Sequence, residues 1–482
     1  MKKLLLSSLL SCVAVSLVCA LWVSCSKGGK AGSSKLESIS LMVNGVWLAP
    51  DNGEDIPERG FETLTGIDLV LNHPPHNEYP QKLDLAFTTG EIPDVFLVSA
   101  GQYNRYASAG ALYDMTEFYD NSKMKNNMVN QDIVDVCRIK GRLYGIPYSR
   151  GNGTLTYVRG DWLKKLGMSV PTNYDEFLAM LRAFKNKNPD GLKPKQVIPI
   201  TGPGLANKEY PMDIYLREFY QDATPDYVEK NGKWVDGMLQ PEMKGALKRM
   251  VDAYKEGLID AEIITNQTST CRDKFYSGSV GVFNYWAGYW NDRIYNNTKP
   301  NVPDVEVLGI PAIKETIYIE RPPGIICMSS KVKDPEGIFE NFFELINDMG
   351  PGQNNFCFGI EGESYVEKDG IKEFLPTKLN PEVPYNKVFV DPSLVVTKWT
   401  PKWVRDPLTG PSYETFRKTV KQYGLPNPSE ELGKLQTEIN QIKMNYISKI
   451  VFGDFTVANG LKKYAEEIKK YNDAVLPDMN NI

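Results

Sequence analysis

The sequence predicts an α/β fold divided into more than one lobe. Three observations carry this. Strand-like and helix-like segments alternate over residues 36–98, strand patterns return after a helix-rich middle, and 482 residues exceed what one compact core holds. LESISLMVNGVW, 36–47, alternates apolar and polar residues as a strand does. PERGFETLTG, 57–66, reads as a helix stopped by Gly66, and IDLVLNH, 67–73, as a second strand. Tyr79–Thr88 has helical spacing and Asp94–Val98 reads as a third strand. Strand, helix, strand, helix, strand builds a largely parallel sheet, with ligands expected at the carboxyl ends of its strands.

The middle continues in the same terms. GDWLKKLGM (160–168), NYDEFLAMLRAFKNK (173–187) and PEMKGALKRMVDAYKEG (241–257) each repeat apolar residues at helical spacing. Thr172 or Asn173 suits the start of the second, with Glu176 placed to complete a cap, and Gly257 suits the end of the third. GSVGVFNYW (278–286) is expected as a strand entering a helix, and PDVEVLGIP and PGIICMSS as further strands. Long helical runs are expected at 335–348 and 428–472. Such alternation has the chain crossing between lobes more than once.

The N-terminus has its own pattern. Lys2 and Lys3 precede an apolar run over residues 4–23 that ends in Ser24-Cys25, and a polar SKGGKAGSSK stretch follows. Basic, apolar, small, then Cys is the order of a secretory signal, here residues 1–24, with an uncleaved N-terminal anchor helix as the alternative. The residues before Cys25 resemble a bacterial lipobox, with Ser24 and Val23 fitting and Trp22 departing from it. Lipidation is therefore expected at Cys25, with residues 25–35 as a flexible tether to the membrane.

Composition removes several function classes. With 55 basic and 60 acidic residues the chain has no positive excess for nucleic acid. Beyond the leader no apolar run is long enough to span a membrane. The only histidines, His73 and His76 in HPPH, are separated by two prolines and read as a surface turn. Serine–histidine and cysteine–histidine catalysis thereby loses its base. Cys137, Cys271, Cys327 and Cys357 show no CxxC spacing, so a structural zinc site is not expected; disulfides and buried free thiols are both open.

Several stretches, taken in order, resemble the family 1 extracellular solute-binding proteins of ABC transporters, in the lipoprotein subgroup associated with oligosaccharide import. They are FETLTGIDLVLNHPPHNEYPQKLDLAFTTGEIPDVF (61–96), YASAGALYDMTEF (106–118) and RIKGRLYGIPYSRGNGTLTYVRGDWLKKLGMSVPTNYDEFLAMLRAFKNKNPDG (138–191). YKEGLIDAEI (254–263), FYSGSVGVFNYWAG (275–288) and PPGIICMSSKVKDPEGIFENFFELIND (322–348) follow. The resemblance implies a two-lobed, periplasmic-binding-protein-like α/β fold with a ligand cleft between lobes and multiple hinge crossings. It puts 36–150 and about 282–340 in lobe 1, and 151–281 and about 341–482 in lobe 2. It also implies a non-enzyme, acting as a monomer, that closes on a solute and delivers it to permease subunits. A secreted glycoside hydrolase and a ligand-sensing or adhesive surface lipoprotein are the alternative functions.

A sugar offers C–H faces to aromatic rings and hydroxyls to polar side chains. Trp286 with Trp290, and Tyr285 with Tyr289, lie four apart; on a helix each pair forms a stripe, facing a cleft or a core. The resemblance favours Trp286 as a ligand contact. Trp399 and Trp403 form a second cluster around Pro401, which breaks any helix there, and Trp47 ends the first strand. Tyr148 and Arg150 sit where the family's chain first crosses between lobes, and Asp94 and Arg321 complete the candidate set. Some relatives carry a calcium loop after the helix corresponding to 173–187. Here NPDGLKPKQVIP keeps Asn188 and Asp190 but places Leu192, Lys193, Lys195 and Val197 at other positions, so no calcium is expected.

Overall fold

The computed structural model describes residues 36–481 apart from 45–54, 77, 194–195, 209, 379–380, 382–384, 386–387 and 423–428. The leader, Cys25, the tether and Trp47 lie outside the described residues.

Two sheets organise the fold, one for each lobe. The first has the order Asp68–Asn72, Ser38–Met42, Val95–Val98, Ile325–Met328, Gly145–Pro147. Its first three strands are parallel, as the alternation over 36–98 predicts. Ile325–Met328 runs antiparallel to both neighbours, so the sheet is mixed, with its other four strands running one way. The cause is that this strand returns from the other lobe instead of leaving one of the strand–helix units. All four residues of Val95–Val98 are buried, as expected of a strand covered on both faces.

The second sheet has the order Val307–Ile310, Thr154–Arg159, Val280–Trp286, Ile198–Thr201. Only the last pair is parallel. Two segments pack away from the lobe the sequence reading gives them. Val307–Ile310 bonds into this second sheet. Pro351–Phe358 lies against Asp55–Thr65 beside the first sheet, with Asn355 Nδ2 donating to the Pro57 carbonyl at 2.9 Å.

The helices follow their local signals. Asn173 caps Tyr174–Lys187 by accepting the Glu176 amide at 3.0 Å, while the Glu176 carboxylate accepts from Thr172. Over 335–348 one helix was expected. The structure instead has a short α-turn Pro335–Ile338, a wide π-turn Phe339–Phe343 and a 3₁₀ turn Leu345–Asn347. The wide turn carries three buried rings, Phe339, Phe342 and Phe343. The 428–472 run is two helices, Glu430–Phe452 and Val457–Asn480, broken at the left-handed Gly453 (φ 93°). Their apolar faces join the core of the second sheet's helices, alongside Trp162, Phe177 and Met250. Among the described residues no helix is long and apolar enough to cross a membrane.

Candidate functional site

The carboxyl end of Gly145–Pro147 leads directly into the first crossing, 148–153. Here backbones are pressed together. A Cβ on Gly151 would stand 2.2 Å from the Arg321 carbonyl, and one on Gly153 2.0 Å from that of Ile319. Arg321 N donates to Asn152 O and Ala287 N to Gly153 O, both at 2.9 Å. Three crossing segments, near 152, 287 and 321, are thereby tied into one ribbon.

Side chains from these segments converge. The Arg321 guanidinium lies 5.5 Å from the centroid of the half-buried Trp286 ring. Tyr148, 9% exposed, packs on Gly324, where a Cβ would come within 2.5 Å of its ring, and on Phe389 at 5.4 Å. Burial pushes the Tyr148 phenol up to about 12, with Ser149 and Arg321 opposing and Asp391 reinforcing. Arg150 is held by the carbonyls of Leu394 and Val395. Burial lowers its guanidinium pKa, Arg417 adds to that, and Glu320 opposes it. Tyr148, Arg150, Trp286 and Arg321 thus occupy one crossing region, offering an aromatic face with cationic donors beside it.

The other candidates sit elsewhere. Tyr285 and Trp286 do not belong to helical stripes with Tyr289 and Trp290. They end the strand Val280–Trp286, and the helix begins only at Trp290. Gly288 makes the turn between them at φ 85°, a conformation a side chain strains to adopt. Tyr285 is 3% exposed and stacks on Phe283, while Trp290 meets Tyr285 edge-on. Trp399 lines a separate cavity of about 320 Å³ with Glu367, Lys372 and Lys402. Trp403 packs edge-on against Phe358 and Phe374. Asp94 precedes its strand at the end of the first sheet opposite Tyr148, and its carboxylate accepts the Ser40 amide and hydroxyl at 2.8 and 2.7 Å. That is a strand-joining role, away from the crossing. His76 Nδ1 lies 2.7 Å from Asn44 Nδ2 on the surface. The four cysteines are buried free thiols, and burial raises their pKa values.

Sequence reasoning missed several residues here. Asp391 accepts from Tyr413 Oη at 3.0 Å and from Ser393 N at 2.7 Å, and burial raises its pKa. Glu320 lies against Gly151, and burial raises its pKa against the opposition of Arg417 and Arg150. The sole local signal for Asp391 is its place between an apolar run and Pro392.

The crossing leaves no room at Gly288, where a Cβ would stand 2.1 Å from the Tyr413 ring. Gly288→Ala combines positive-φ strain with overpacking and should cost about 2–5 kcal/mol. Urea unfolding of both proteins checks this, and an unchanged midpoint would refute it.

Asn188 and Asp190, in the loop after Tyr174–Lys187, are both engaged by protein. Asp190 accepts from Arg159 Nη2 at 2.8 Å and Trp162 Nε1 at 2.7 Å, and it pairs with Lys165. Burial alone would raise its pKa, but these partners together hold it below the usual carboxylate value. Asn188 is spent on both backbone groups of Leu192.

Residues 53–340 match the family model described as bacterial extracellular solute-binding protein. Lipoprotein LipO of Bacillus subtilis is 24% identical over 379 residues, spanning 74% of each chain. The fructooligosaccharide ABC transporter substrate-binding protein FusA of Streptococcus pneumoniae is 22% identical over 270 residues, 52% of this chain and 50% of its own. Of the solved structures, alginate-binding protein AlgQ2 without calcium ion matches at TM-score 0.67 and 20% identity, over 93% of this chain and 98% of its own. S. pneumoniae FusA in complex with kestose matches at TM-score 0.65 and 16% identity, over 92% and 98%. At these identities the structural likeness shows the fold.

Proposed function

The chain belongs to the bacterial extracellular solute-binding protein family, and from that premise we propose that it is an exported, lipid-anchored protein that captures an oligosaccharide and delivers it to an ABC importer. The observation that carries the saccharide reading is the crossing itself, where Trp286 offers an aromatic face beside Arg321 and Tyr148. Relatives named for fructooligosaccharide and alginate support it. A relative named as a lipoprotein supports anchoring through Cys25. In this reading Trp286, Tyr148, Arg150 and Arg321 contact the ligand, Tyr285 and Trp290 back them, and Trp399 and Trp403 form more distant walls. Asp94 is left out because Ser40 occupies it. Lobe 1 is 36–150 with the return strand at 325–328 and the helix Pro351–Phe358, and lobe 2 is 151–281 with the strand Val307–Ile310 and the two long C-terminal helices. The protein acts as a monomer and turns nothing over.

A thermal-shift screen of saccharides tests this reading, since a ligand that binds only the folded chain raises its midpoint. A reducing-end assay runs beside it. Stabilisation without product release is the expected result, and release of new reducing ends would replace it with the hydrolase reading. The same proposal holds that no calcium is bound after residue 187. Calorimetric titration of the chelator-treated protein with calcium should give only the heat of dilution, and a saturable isotherm would contradict it.

A further inference from the structure

Two arginines from different helices meet on one indole. Arg272 of Thr268–Tyr276 and Arg293 of Trp290–Thr298 lie 5.0 and 5.3 Å from the Trp290 ring centroid. Arg272 also stands over Tyr285 at 5.7 Å and donates to its hydroxyl at 3.2 Å. Arg293 also stands over Tyr289 at 5.5 Å. Both arginines are half-buried.

Neither forms an ion pair with a carboxylate among the described residues. Their neighbours differ. Lys274, two residues from Arg272, pairs with Asp260 and Glu262, each at 2.8 Å. The buried Arg159 pairs with Asp161 at 2.6 Å and Asp190 at 2.8 Å. Among the described residues these two adjacent guanidiniums thus have no ion-pair partner, in a chain with 60 acidic residues and 55 basic ones. Like charges on one ring repel, and the aromatic faces offset that while holding both forks in place. Forks fixed in advance lose little freedom when they grip a planar or tetrahedral oxyanion. The pair also flanks the crossing: Tyr289 and Trp290, which carry the two guanidiniums, follow Ala287 and Gly288, and Ala287 N donates to the Gly153 carbonyl at 2.9 Å.

Resting on the solute-binding reading above, we propose that Arg272 and Arg293 form an anion subsite and that the captured oligosaccharide is acidic, carrying carboxylate or sulfate groups. One acidic group bridges the two guanidiniums. Its affinity falls as salt rises, because the site is half-exposed.

The test has two arms, each on the wild type, the double variant Arg272→Gln/Arg293→Gln and the charge-keeping Arg272→Lys/Arg293→Lys, with circular dichroism confirming the fold. In the first arm sodium sulfate replaces sodium chloride at constant ionic strength. Sulfate should raise the wild-type thermal midpoint more than that of the Gln variant, and an equal rise in both overturns the subsite. This arm needs no saccharide, so it judges the subsite even if the solute-binding reading fails. In the second arm galacturonate, alginate and sulfated tetrasaccharides are titrated beside neutral maltotetraose. The expected result is binding of at least one acidic probe that is weakened about 10- to 100-fold in the Gln variant and less in the Lys variant. Binding of only the neutral probe, or equal binding of an acidic probe by all three proteins, overturns the acidic-ligand proposal. If no saccharide binds while sulfate discriminates, the solute-binding reading fails and the subsite stands.

Discussion

Lys443→Met should destabilise the second lobe by about 3–5 kcal/mol, the cost of leaving buried carboxylates without their cation. Lys443 is 1% exposed. Its ammonium donates to the Pro225 carbonyl at 2.6 Å, lies 3.3 Å from Asp236 Oδ1, and stands 4.2 Å from the Tyr227 ring centroid. Asp236 is fastened further by Tyr464 Oη at 2.7 Å and Asn472 Nδ2 at 3.1 Å. One lysine from the long helix Glu430–Phe452 thus neutralises a turn of the second lobe. Methionine keeps the stem and removes only the charge.

Burial, and then the Asp213 carboxylate, push Asp226 up to about 7 from its ordinary 3.8, with Lys443 opposing. A carboxyl raised on folding contributes stability that is complete below its unfolded value and lost as pH rises through its folded value. Without Lys443 the folded pKa rises further, so the variant goes on losing stability at pH values above about 7, where the wild type has levelled off. The gap between the two proteins should therefore widen from about pH 5.5 to about pH 8. Urea unfolding at both pH values measures it, and a gap that is constant or narrows would refute the account of this cluster.

Trp286→Ala should weaken binding of a responsive oligosaccharide by about 2–4 kcal/mol, about 30- to 1000-fold. The side chain ends its strand, is half-buried, and carries Arg321 over its ring. Truncation removes the stacking face and the surface that positions the guanidinium. Trp286→Phe should recover most of the affinity, because a sugar's C–H face needs an aromatic plane more than an indole N–H. Equal losses in Ala and Phe would point to a packing role, since Trp286 also contacts the cores on both sides of its sheet.

What was legible in the sequence was local. The strand and helix order over 36–98 rests on periods of two and 3.6 residues punctuated by Gly66, and the Asn173 cap is a four-residue signal. The 285–290 segment misled because spacing by four fits a helix, whereas the chain turns at a positive-φ glycine that spacing does not reveal. The crossing was half-legible: Tyr148 and Arg321 were found on either side of it. Asp391 and Glu320 were not, because their surroundings come from contacts that span the chain, such as Arg150 with Val395. The Arg272–Trp290–Arg293 stack likewise joins two helices whose contact no periodicity encodes.

The most direct test is a calorimetric titration of the protein lacking residues 1–24 with the saccharides that raise its thermal midpoint, run in parallel on Trp286→Ala. The account predicts a one-to-one isotherm with intact sugar recovered, and its loss or strong weakening in the variant. No saccharide binding at all, or binding of equal strength in both proteins, would contradict it.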